Sequence, residues 1–506
     1  MSAVVGRDVR PQGIAELVRR SAARSPQATA FSFARRPWSY EELWRAVGAA
    51  AAELAQEGIG RGDRVAVLGR NSERYVITWL ATQLLAAVHV PINFMLSARE
   101  VGYVVGHSGA RLALGDPELL DTLRAGAETA CPVAELRLPG GHPGAEPPAP
   151  DPAISFDTVA QIAYTSGTES MPKGAMLTHG GLGAQYESCI VAGEYCADDV
   201  VVHALPLYHC AQLHCFLMPA LMLGATGVLL PGAEPEAMID AIAAHGATSV
   251  FAPPTVWIAL LASPRLTEAT VPTLRKGYFG AAIMPVHVIR ELAERLPRLR
   301  LWNFYGQTEL GPLATALGPS EQLARAGSVG RPVLHVQTRV VDDQLRDVAP
   351  GEVGEVVHRS VQVTLGYHED PERTAEATAG GWFHSGDLAT RDADGYITIV
   401  DRKKDMIKTG GENVSSREVE EVLFTHPAVA EAAVIAVPDA RWIEAVCAVV
   451  VVREGHRASE EELRAFVRER LAGFKTPKRV VFLDALPKNP SGKILKRELR
   501  AGVVAA

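Results

Sequence analysis

Residues 164–174 read Tyr-Thr-Ser-Gly-Thr-Glu-Ser-Met-Pro-Lys-Gly, and this stretch decides how the rest of the chain is interpreted. The apolar run before it, residues 159–164, predicts a short buried strand, and residues 176–179 predict a second strand after it. Its hydroxyl side chains and exposed backbone N–H groups suit a loop that binds phosphate oxygens. Lys173 can add a positive charge there. A plain hairpin of small residues is the alternative, and local features alone do not separate the two.

Composition bounds the class of protein. The chain has 506 residues, which exceeds one ordinary domain, and its hydrophobic content of 47% is enough for a large core. A formal net charge of −8 argues against a nucleic-acid partner and indicates a soluble protein. The six cysteines include no C-x-x-C pair, so a disulfide framework is not expected and a reducing cytoplasm fits.

No segment of the sequence indicates export or membrane insertion. Residues 1–13 are polar and carry two arginines, so they do not form a signal peptide. Two apolar runs, residues 75–94 and 215–230, are interrupted by polar residues and proline. They predict a buried helix followed by a buried strand rather than an integral membrane segment. We therefore expect a cytoplasmic protein.

Strands and helices alternate along most of the chain, which predicts an α/β fold with largely parallel sheets. Residues 139–152 hold six Pro and three Gly and must form an irregular loop. Between residues 337 and 401, short strands and glycine turns predict a small β-barrel. The boundary signal is strongest near residue 403. We predict a large N-terminal domain of residues 1–402 and a small, mobile α+β C-terminal domain of residues 403–506.

The stretch at 164–174 resembles the phosphate loop of the adenylate-forming superfamily, whose usual pattern is T-S-G-T-T-G-x-P-K-G. This superfamily comprises acyl-CoA synthetases, carrier-protein adenylation domains and firefly-type luciferases. The stretch is not a Walker A loop, because Pro172 stands where a second Gly is required. It departs from the family pattern at Glu169 and Ser170, and a carboxylate at 169 should repel a triphosphate. The resemblance implies that ATP contacts Thr165, Ser166, Gly167, Thr168 and Lys173.

Two further segments match nucleotide-binding motifs of the same superfamily in the same order along the chain. The small residues Gly280, Ala281 and Ala282 resemble the turn against which adenine lies. Asp387, in a tight glycine turn, would accept two ribose hydroxyl hydrogens, and Arg402 would add a ribose or phosphate contact. An Asp that caps its own backbone is the plain alternative.

A third segment, Tyr305-Gly306-Gln307-Thr308-Glu309, is more specific. Tyr305 offers a ring face for adenine, and Thr308 offers a hydroxyl for the α-phosphate. Glu309 offers a hard oxygen for Mg²⁺. The resemblance implies that Thr168 is a second metal-binding residue and that Gly306 lies against the nucleotide.

The C-terminal domain would supply the mobile parts of the site. Lys404 falls at the hinge position of the superfamily, and Gly410 and Gly411 would let the pantetheine arm of coenzyme A pass along the backbone. Lys493 resembles the lysine that bridges the carboxylate substrate and the α-phosphate, a charge-cancelling role. A surface lysine in a basic tail is the alternative. The resemblance implies that this domain rotates between two half-reactions.

Five side chains capable of metal binding crowd together: His203, His209, Cys210, His214 and Cys215. A zinc site is the local alternative, but residues 209 and 214 do not share one helix face. The segment from Pro206 to His209 instead resembles the superfamily's aromatic gate, which implies that His209 swings between the carboxylate pocket and the thiol entry. A histidine bonded to backbone at a helix start is an equal alternative.

We interpret the chain as an ATP- and Mg²⁺-dependent acyl-CoA synthetase that forms an acyl-adenylate and transfers the acyl group to coenzyme A. An apolar helix from Gln212 to Leu223, together with Phe251 and Thr255, is expected to line the acyl pocket. No Arg or Lys is evident there for a second carboxylate. We expect a medium- or long-chain fatty acid, with an aryl or small acid as the alternative.

Other functions stay open at this stage. A carrier-protein-loading ligase would typically carry an insertion near the domain junction, and none is evident. A luciferase-type oxygenase is a second alternative, and the chain lacks the Ser-Lys-Leu ending common in that branch. A non-catalytic nucleotide-binding scaffold is conceivable because of Glu169 and Ser170. The sequence leaves a homodimer open.

Overall fold

The computed structural model describes residues 13–128, 130–140, 153–165, 171–282, 284–409, 412–439, 441–488 and 494–505. The chain forms two compact units. The first comprises Met1–Ala326, Pro332–Gln337 and Arg359–Phe383, and the second comprises Gly327–Arg331, Thr338–His358 and His384–Ala506. The boundary predicted between residues 402 and 403 therefore falls inside the second unit. That residues 403–506 move as a separate domain stays a prediction.

Strands are spread over the whole chain. In chain order they are β1 (Thr29–Phe33), β2 (Arg36–Ser39), β3 (Arg64–Leu68), β4 (Val88–Ile92), β5 (Leu112–Gly115), β6 (Val133–Glu135), β7 (Val159–Thr165), β8 (Lys173–Thr178), β9 (Val200–His203), β10 (Thr226–Leu229), β11 (Ser249–Phe251), β12 (Lys276–Gly280), β13 (Arg300–Tyr305), β14 (Thr315–Leu317), β15 (Ser328–Pro332), β16 (Val336–Val341), β17 (Gly354–Ser360), β18 (Phe383–Arg391), β19 (Ile397–Arg402), β20 (Ile407–Thr409), β21 (Glu412–Val414), β22 (Val429–Asp439), β23 (Ile443–Val452) and β24 (Arg479–Phe482).

Helices connect most of the parallel strands. In chain order they are α1 (Ile14–Arg24), α2 (Tyr40–Gln56), α3 (Glu73–Leu84), α4 (Ala98–His107), α5 (Leu120–Ala127), α6 (His179–Gly193), α7 (Met218–Leu223), α8 (Pro235–His245), α9 (Pro254–Ala262), α10 (Val286–Arg295), α11 (Pro371–Ala377), α12 (Ser416–Phe424), α13 (Glu460–Arg468) and α14 (Lys496–Ala505). A π-helical segment spans Ala211–Leu217, and short 3₁₀ turns lie at Pro117–Leu119, Thr308–Leu310, Pro319–Glu321, Ala379–Gly381 and Gly473–Lys475.

One sheet of the first unit has the strand order β6-β5-β3-β4-β7-β8. Its strands pair in parallel except for the antiparallel β7–β8 hairpin. All five residues of β4 are buried, and α3 is buried along almost its whole length. This is the burial expected of a largely parallel sheet that is covered on both faces, and it confirms the predicted α/β class.

The other strands of the first unit follow the order β14-β13-β12-β11-β9-β10-β1-β2. The pairs from β13 to β1 are parallel, whereas β14 and β2 pair antiparallel with their neighbours. Phe251 lies opposite Tyr278, and Gly280 lies opposite Phe304, so β11, β12 and β13 end near one edge. In α/β sheets, ligands bind at the carboxyl ends of the strands. This edge therefore positions the candidate site of the first unit.

The second unit contains two sheets, which are described separately. In one, the strand order is β16-β17-β18-β19-β15, and β19 runs antiparallel to β18 and β15. In the other, the order is β21-β20-β23-β22, with β24 parallel to β23. Helices α12 and α13 pack on one face of this second sheet and α14 packs on the other.

Two predicted elements are corrected by the structure. Residues 337–401 were expected to form a small β-barrel, but in the described part of the chain these strands follow an open order. A barrel needs every strand to have two neighbours, and β16 lies at an edge. The predicted helix from Gln212 to Leu223 instead begins as the π-helical segment and becomes α7 near Pro219, whose nitrogen cannot donate a helical hydrogen bond.

Helices α2 and α13 begin with a side-chain cap. Ser39 and Glu42 form the reciprocal capping box at the start of α2, and Ser459 and Glu462 form one at the start of α13. Among the described residues, the longest apolar helices fall short of what a bilayer crossing requires.

Candidate active site

The phosphate-loop stretch begins and ends on the β7–β8 hairpin. Thr165 pairs with Lys173 in the last rung of this antiparallel ladder, so the second strand starts at Lys173, three residues before the predicted start. Ser166, Gly167 and Thr168 lie outside the described residues. The two ends of the loop are fixed by backbone pairing.

Helix α4 supports both ends of this loop. The Tyr164 hydroxyl lies 2.8 Å from Nδ1 of His107, and the Tyr103 hydroxyl donates to the Pro172 carbonyl over 3.1 Å. Both tyrosines and His107 are packed against one another as rings. The sequence motif did not reveal this support, because α4 is remote from the loop along the chain.

The segment from Tyr305 to Glu309 leaves β13 and enters a 3₁₀ turn. Gly306 is required there, since a Cβ at this position would lie 1.9 Å from the Pro312 carbonyl oxygen. The Gln307 amide donates to the Tyr305 hydroxyl over 2.8 Å, which orients the ring predicted to stack on adenine. The Thr308 hydroxyl lies 3.2 Å from the Cys210 sulfur. All four predicted contact residues of this segment are partly exposed.

Glu309 can be tested as a ligand for Mg²⁺. Its Oε1 accepts a hydrogen bond from the Tyr367 hydroxyl over 2.9 Å, and its side chain is only partly buried. A carboxylate held by one such bond is a suitable hard-oxygen ligand. Glu309 therefore fits a Mg²⁺ ligand. Its predicted partner Thr168 lies outside the described residues, and joint binding of the metal by Glu309 and Thr168 stays a prediction.

The predicted adenine turn shows two unusual backbone features. A Cβ on Gly280 would lie 2.3 Å from the Phe304 carbonyl oxygen, so only glycine fits where β12 meets β13. Ala281 follows with a φ of 64°, a left-handed conformation that costs an alanine about 1–2 kcal/mol. Ala281 and Ala282 are exposed. Local strain of this kind concentrates at ligand sites, and it favours a functional turn over simple packing.

His209 lies at the start of the π-helical segment and is half-buried. Its Nδ1 accepts a hydrogen bond from the Ala211 N–H over 3.2 Å. This contact is the one expected of a histidine that is bonded to backbone at a helix start. The predicted movement of His209 between the carboxylate pocket and the thiol entry stays a prediction. The adjacent Cys210, one of the five candidate metal-binding residues, contacts Thr308 instead. Burial raises the pKa of its thiol to about 12, so the thiol is neutral.

The zinc alternative finds no support. His214 lies 2.5 Å from the Gln161 amide oxygen through Nε2 and 2.9 Å from the Tyr186 hydroxyl through Nδ1. His203 Nδ1 lies 2.8 Å from the Gln212 amide nitrogen. Burial lowers the pKa of both histidines to about 3, so they are neutral core residues. Within the described ranges, no group of three or more His, Cys, Asp or Glu is arranged for a metal ion.

The predicted acyl-pocket residues fall into two groups. Thr255, on the first turn of α9, is partly exposed, whereas Phe251 is buried and stacks on Phe216 with ring centroids 4.3 Å apart. Gln212 is fully buried, and its amide oxygen accepts from the Leu205 N–H over 3.2 Å. Gln212 thus holds the segment that follows β9, and its contact with an acyl group stays a prediction.

Sequence reasoning also missed a buried pair of amides behind the Thr308 turn. The Gln362 amide nitrogen donates to Gln185 Oε1 over 2.9 Å and to the Leu313 carbonyl over 3.0 Å. Gln185 Oε1 in turn accepts from the Leu313 N–H over 3.1 Å. Because neither glutamine belongs to a motif that sequence alone identifies, only the fold reveals that they fix this turn.

In the second unit, Asp387 and Arg402 form a cross-strand pair between β18 and β19. Arg402 Nε lies 2.9 Å from Asp387 Oδ1, and Asp387 is buried. Gly386 has a φ of 70°, and its N–H donates to Glu355 Oε1 over 3.2 Å. The two residues predicted to contact the ribose are thus adjacent, and their contact with a nucleotide stays a prediction.

The remaining predicted residues of the second unit are only partly described. Lys404 lies in the exposed turn between β19 and β20. Gly410, Gly411 and Lys493 lie outside the described residues. Lys488 and Ile494 form an isolated antiparallel bridge, so the ends of the segment that carries Lys493 are held together.

Comparison with known proteins identifies the family. The family model described as AMP-binding enzyme matches residues 18–368, and the model described as AMP-binding enzyme C-terminal domain matches residues 418–493. The chain belongs to the AMP-binding enzyme family, the adenylate-forming superfamily that the motifs indicate.

Similarity extends over nearly the full chain in individual relatives. A feruloyl-CoA synthase of an Amycolatopsis species is 40% identical over 493 residues, which cover 97% of this chain and 99% of that protein. An indoleacetate–CoA ligase of Aromatoleum aromaticum is 34% identical over 499 residues, covering 96% and 97%. The crystal structure of ATP-bound MatB from Rhodopseudomonas palustris matches with a TM-score of 0.90 and 31% identity, covering 97% and 99%. These relatives support adenylate-forming CoA ligase activity for the chain.

Proposed function

We propose that the chain is an ATP-dependent ligase that joins a planar aryl or arylalkenyl acid to coenzyme A. In the first half-reaction the carboxylate attacks the α-phosphorus of ATP, the acyl-adenylate forms and pyrophosphate leaves. In the second, the thiol of coenzyme A attacks the acyl carbonyl, the thioester forms and AMP leaves. The first step needs no general base, because the carboxylate is already ionised.

One observation carries the choice of acid, namely the solid aromatic packing behind the carboxyl ends of β11, β12 and β13. Phe216 stacks on Phe251 with an interplanar angle of 14°, and its centroid lies 5.9 Å from that of Phe304. Tyr278 joins the same cluster, and each of these residues is at most 6% exposed. A long alkyl chain needs an apolar channel as long as itself. A short planar acid needs only a slot beside such a wall.

The relatives support the same choice. Feruloyl and indoleacetate, the acids in the names of the two relatives given above, both carry a flat ring system. The expectation of a medium- or long-chain fatty acid therefore has less support than its stated alternative of an aryl acid. We propose coenzyme A as the acceptor, because both of these relatives are CoA ligases.

Each site residue would contact a different part of the substrates. Tyr305 would stack on adenine, and the Thr308 hydroxyl would contact the α-phosphate. Glu309 would hold Mg²⁺, which when bound neutralises phosphate charge. Lys173 would contact the outer phosphates, and Lys493 would bridge the two reacting anions.

The C-terminal segment is proposed to move during the cycle. Lys493 would act in adenylation, and Gly410 and Gly411 would line the coenzyme A passage in the second step. Rotation of residues 403–506 about Lys404 would remove Lys493 from the reacting groups and bring Gly410 and Gly411 to them.

A panel of acids tests the proposal through CoA-dependent release of AMP. Ferulate, indoleacetate, benzoate, decanoate and palmitate are compared by kcat/KM, and hydroxylamine capture without coenzyme A reports the adenylate alone. We expect the preferred aryl acid to exceed decanoate by at least about tenfold, the scale that a few pocket contacts set. Equal or higher values for the fatty acids would overturn the aryl assignment. Adenylate capture without any thioester formation would overturn the acceptor.

A further inference from the structure

Tyr367 contacts both the predicted Mg²⁺ ligand and a predicted phosphate-binding lysine of the first unit. Its hydroxyl donates to Glu309 Oε1 over 2.9 Å, and Lys173 Nζ lies 5.0 Å from the centroid of its ring. The tyrosine is 7% exposed. One neutral side chain thus contacts an anion through its hydroxyl and a cation through its ring face.

The backbone around Tyr367 is fixed to both of these groups. The His368 N–H donates to the Gly174 carbonyl over 2.8 Å, directly after Lys173. The Thr364 N–H donates to the Glu309 carbonyl over 2.7 Å. Residues 364–368 therefore connect the start of β8 with the turn that carries Glu309, independently of any bound nucleotide.

The turn that presents Tyr367 is itself well determined. The Tyr367 N–H donates to Thr374 Oγ1 over 2.9 Å. Gly366 has a φ of 132°, and a Cβ there would lie 2.5 Å from Thr374 Cγ2. The ring cannot be relocated without breaking these contacts, so its position is a property of the fold.

The Tyr367 hydroxyl can act as a hydrogen-bond donor to the carboxylate. A phenol is protonated at neutral pH and has one hydrogen to donate. That hydrogen is committed to Glu309 Oε1, so rotation of the carboxylate would break the bond. The orientation of the other oxygen, Oε2, is thereby set.

We propose that Tyr367 is a positioning residue that orients the Glu309 carboxylate for a divalent cation and places the Lys173 ammonium for the nucleotide phosphates. The inference rests on the proposed function, since that function assigns Glu309 and Lys173 to MgATP. Its two parts are separable, because the hydroxyl acts on the carboxylate and the ring acts on the lysine. Phenylalanine removes the first part and leucine removes both.

Calorimetric titration of ATP into the full chain tests the two parts without any turnover. With Mg²⁺ present, Tyr367→Phe is expected to raise the Kd for ATP about tenfold, the lower end of the range for lost outer-shell partners of metal ligands. With a chelator in place of Mg²⁺, Y367F should bind ATP as the wild type does. Tyr367→Leu should weaken ATP binding under both conditions, since Lys173 loses its aromatic neighbour.

Tyr40→Phe is the matched control for the loss of a buried hydroxyl. The Tyr40 hydroxyl donates to the Ala225 carbonyl over 2.7 Å and contacts none of the residues in question. Y40F should leave ATP binding unchanged with and without Mg²⁺. Equal melting temperatures of Y367F and Y40F would show that any difference in binding is not caused by unfolding.

A double-mutant cycle with Glu309→Gln shows whether Tyr367 acts through the carboxylate. In the E309Q background, Tyr367→Phe should add little to the loss of Mg²⁺-dependent binding. Additive losses, or a Y367F chain that binds MgATP like the wild type, would overturn the inference. A wild-type chain that binds no ATP would instead overturn the proposed function, so the two failures are distinguishable.

Discussion

Ile443 provides a prediction that is decided by which of two variants, glycine or alanine, is the more stable. This residue begins β23 with a φ of 70°, in the left-handed region that β-branched side chains avoid. It pairs with Thr409, the residue before the predicted coenzyme A passage. The side chain is 77% exposed, so it contributes little apolar burial that a smaller residue would lose. Replacement by glycine therefore changes mainly the backbone energy.

The magnitude follows from two opposing terms. A left-handed conformation costs an L-residue about 1–2 kcal/mol, a cost that glycine does not have. Glycine loses more freedom on folding, which costs roughly 0.5–1 kcal/mol relative to alanine. Ile443→Gly should therefore be more stable than Ile443→Ala by about 0.7 kcal/mol, or about threefold in the local opening equilibrium. At an ordinary strand position alanine would be the more stable of the two.

Hydrogen exchange of the full chain, followed by mass spectrometry, measures this difference in peptides from β22 and β23. Slower exchange in I443G than in I443A is the expected result. Global melting is less suitable, because a chain with two compact units need not unfold in one step. If I443A exchanges more slowly than I443G, the left-handed strain is not stored at this residue and the reasoning fails.

Three further predictions concern lysines. Lys493→Ala should nearly abolish acyl-adenylate formation while thioester formation from a premade acyl-adenylate persists; equal loss of both steps in stopped assays would contradict this. Lys404→Pro should stop turnover by blocking rotation, and full turnover would refute a hinge there. Lys276→Met removes a buried partner 2.7 Å from Asp199, which should cost about 3–5 kcal/mol of stability. Burial favours a raised pKa for Asp199, but the Lys276 hydrogen bond and others outweigh it and lower the pKa, so this stability is present above the unfolded pKa and is lost as pH falls through the folded pKa. K276M should therefore unfold at higher pH in an acid titration followed by circular dichroism.

Local and periodic features of the sequence were sufficient for most of the fold. The bounds of α12 and β4 follow from their own residues: a Ser415 cap with an apolar stripe in one case and a short apolar run in the other. The errors arose where pairing between distant residues decides. The open order of β16 to β19 depends on which strands become neighbours, and periodicity carries no information on that.

The same distinction between local and distant contacts applies to the candidate site. The proximity of Tyr305, Thr308 and Glu309 could be predicted because they belong to one contiguous motif, whereas their roles stay predictions. Tyr367, which contacts Glu309, stands 58 residues further on, and Gln362 contacts Gln185 across 177 residues. Contacts of that kind follow from the sheet topology, so a single sequence does not reveal them. The roles predicted for Lys404 and Lys493 depend on motion and stay predictions.

The structure also suggests why chemistry and acid preference can vary independently in this fold. The turn that carries Thr308 and Glu309 is held from behind by the Gln185–Gln362 pair, whose amides bond to each other, to the Leu313 backbone and to the Cys189 and Cys215 sulfurs. The wall beside the proposed acyl slot is instead set by Phe251 and its neighbours on β12 and β13. Substitutions at Phe251 can therefore reshape the slot while the amide pair keeps the reacting groups in place. It follows that a change of preferred acid should appear in kcat/KM ratios between acids, with the affinity for MgATP preserved.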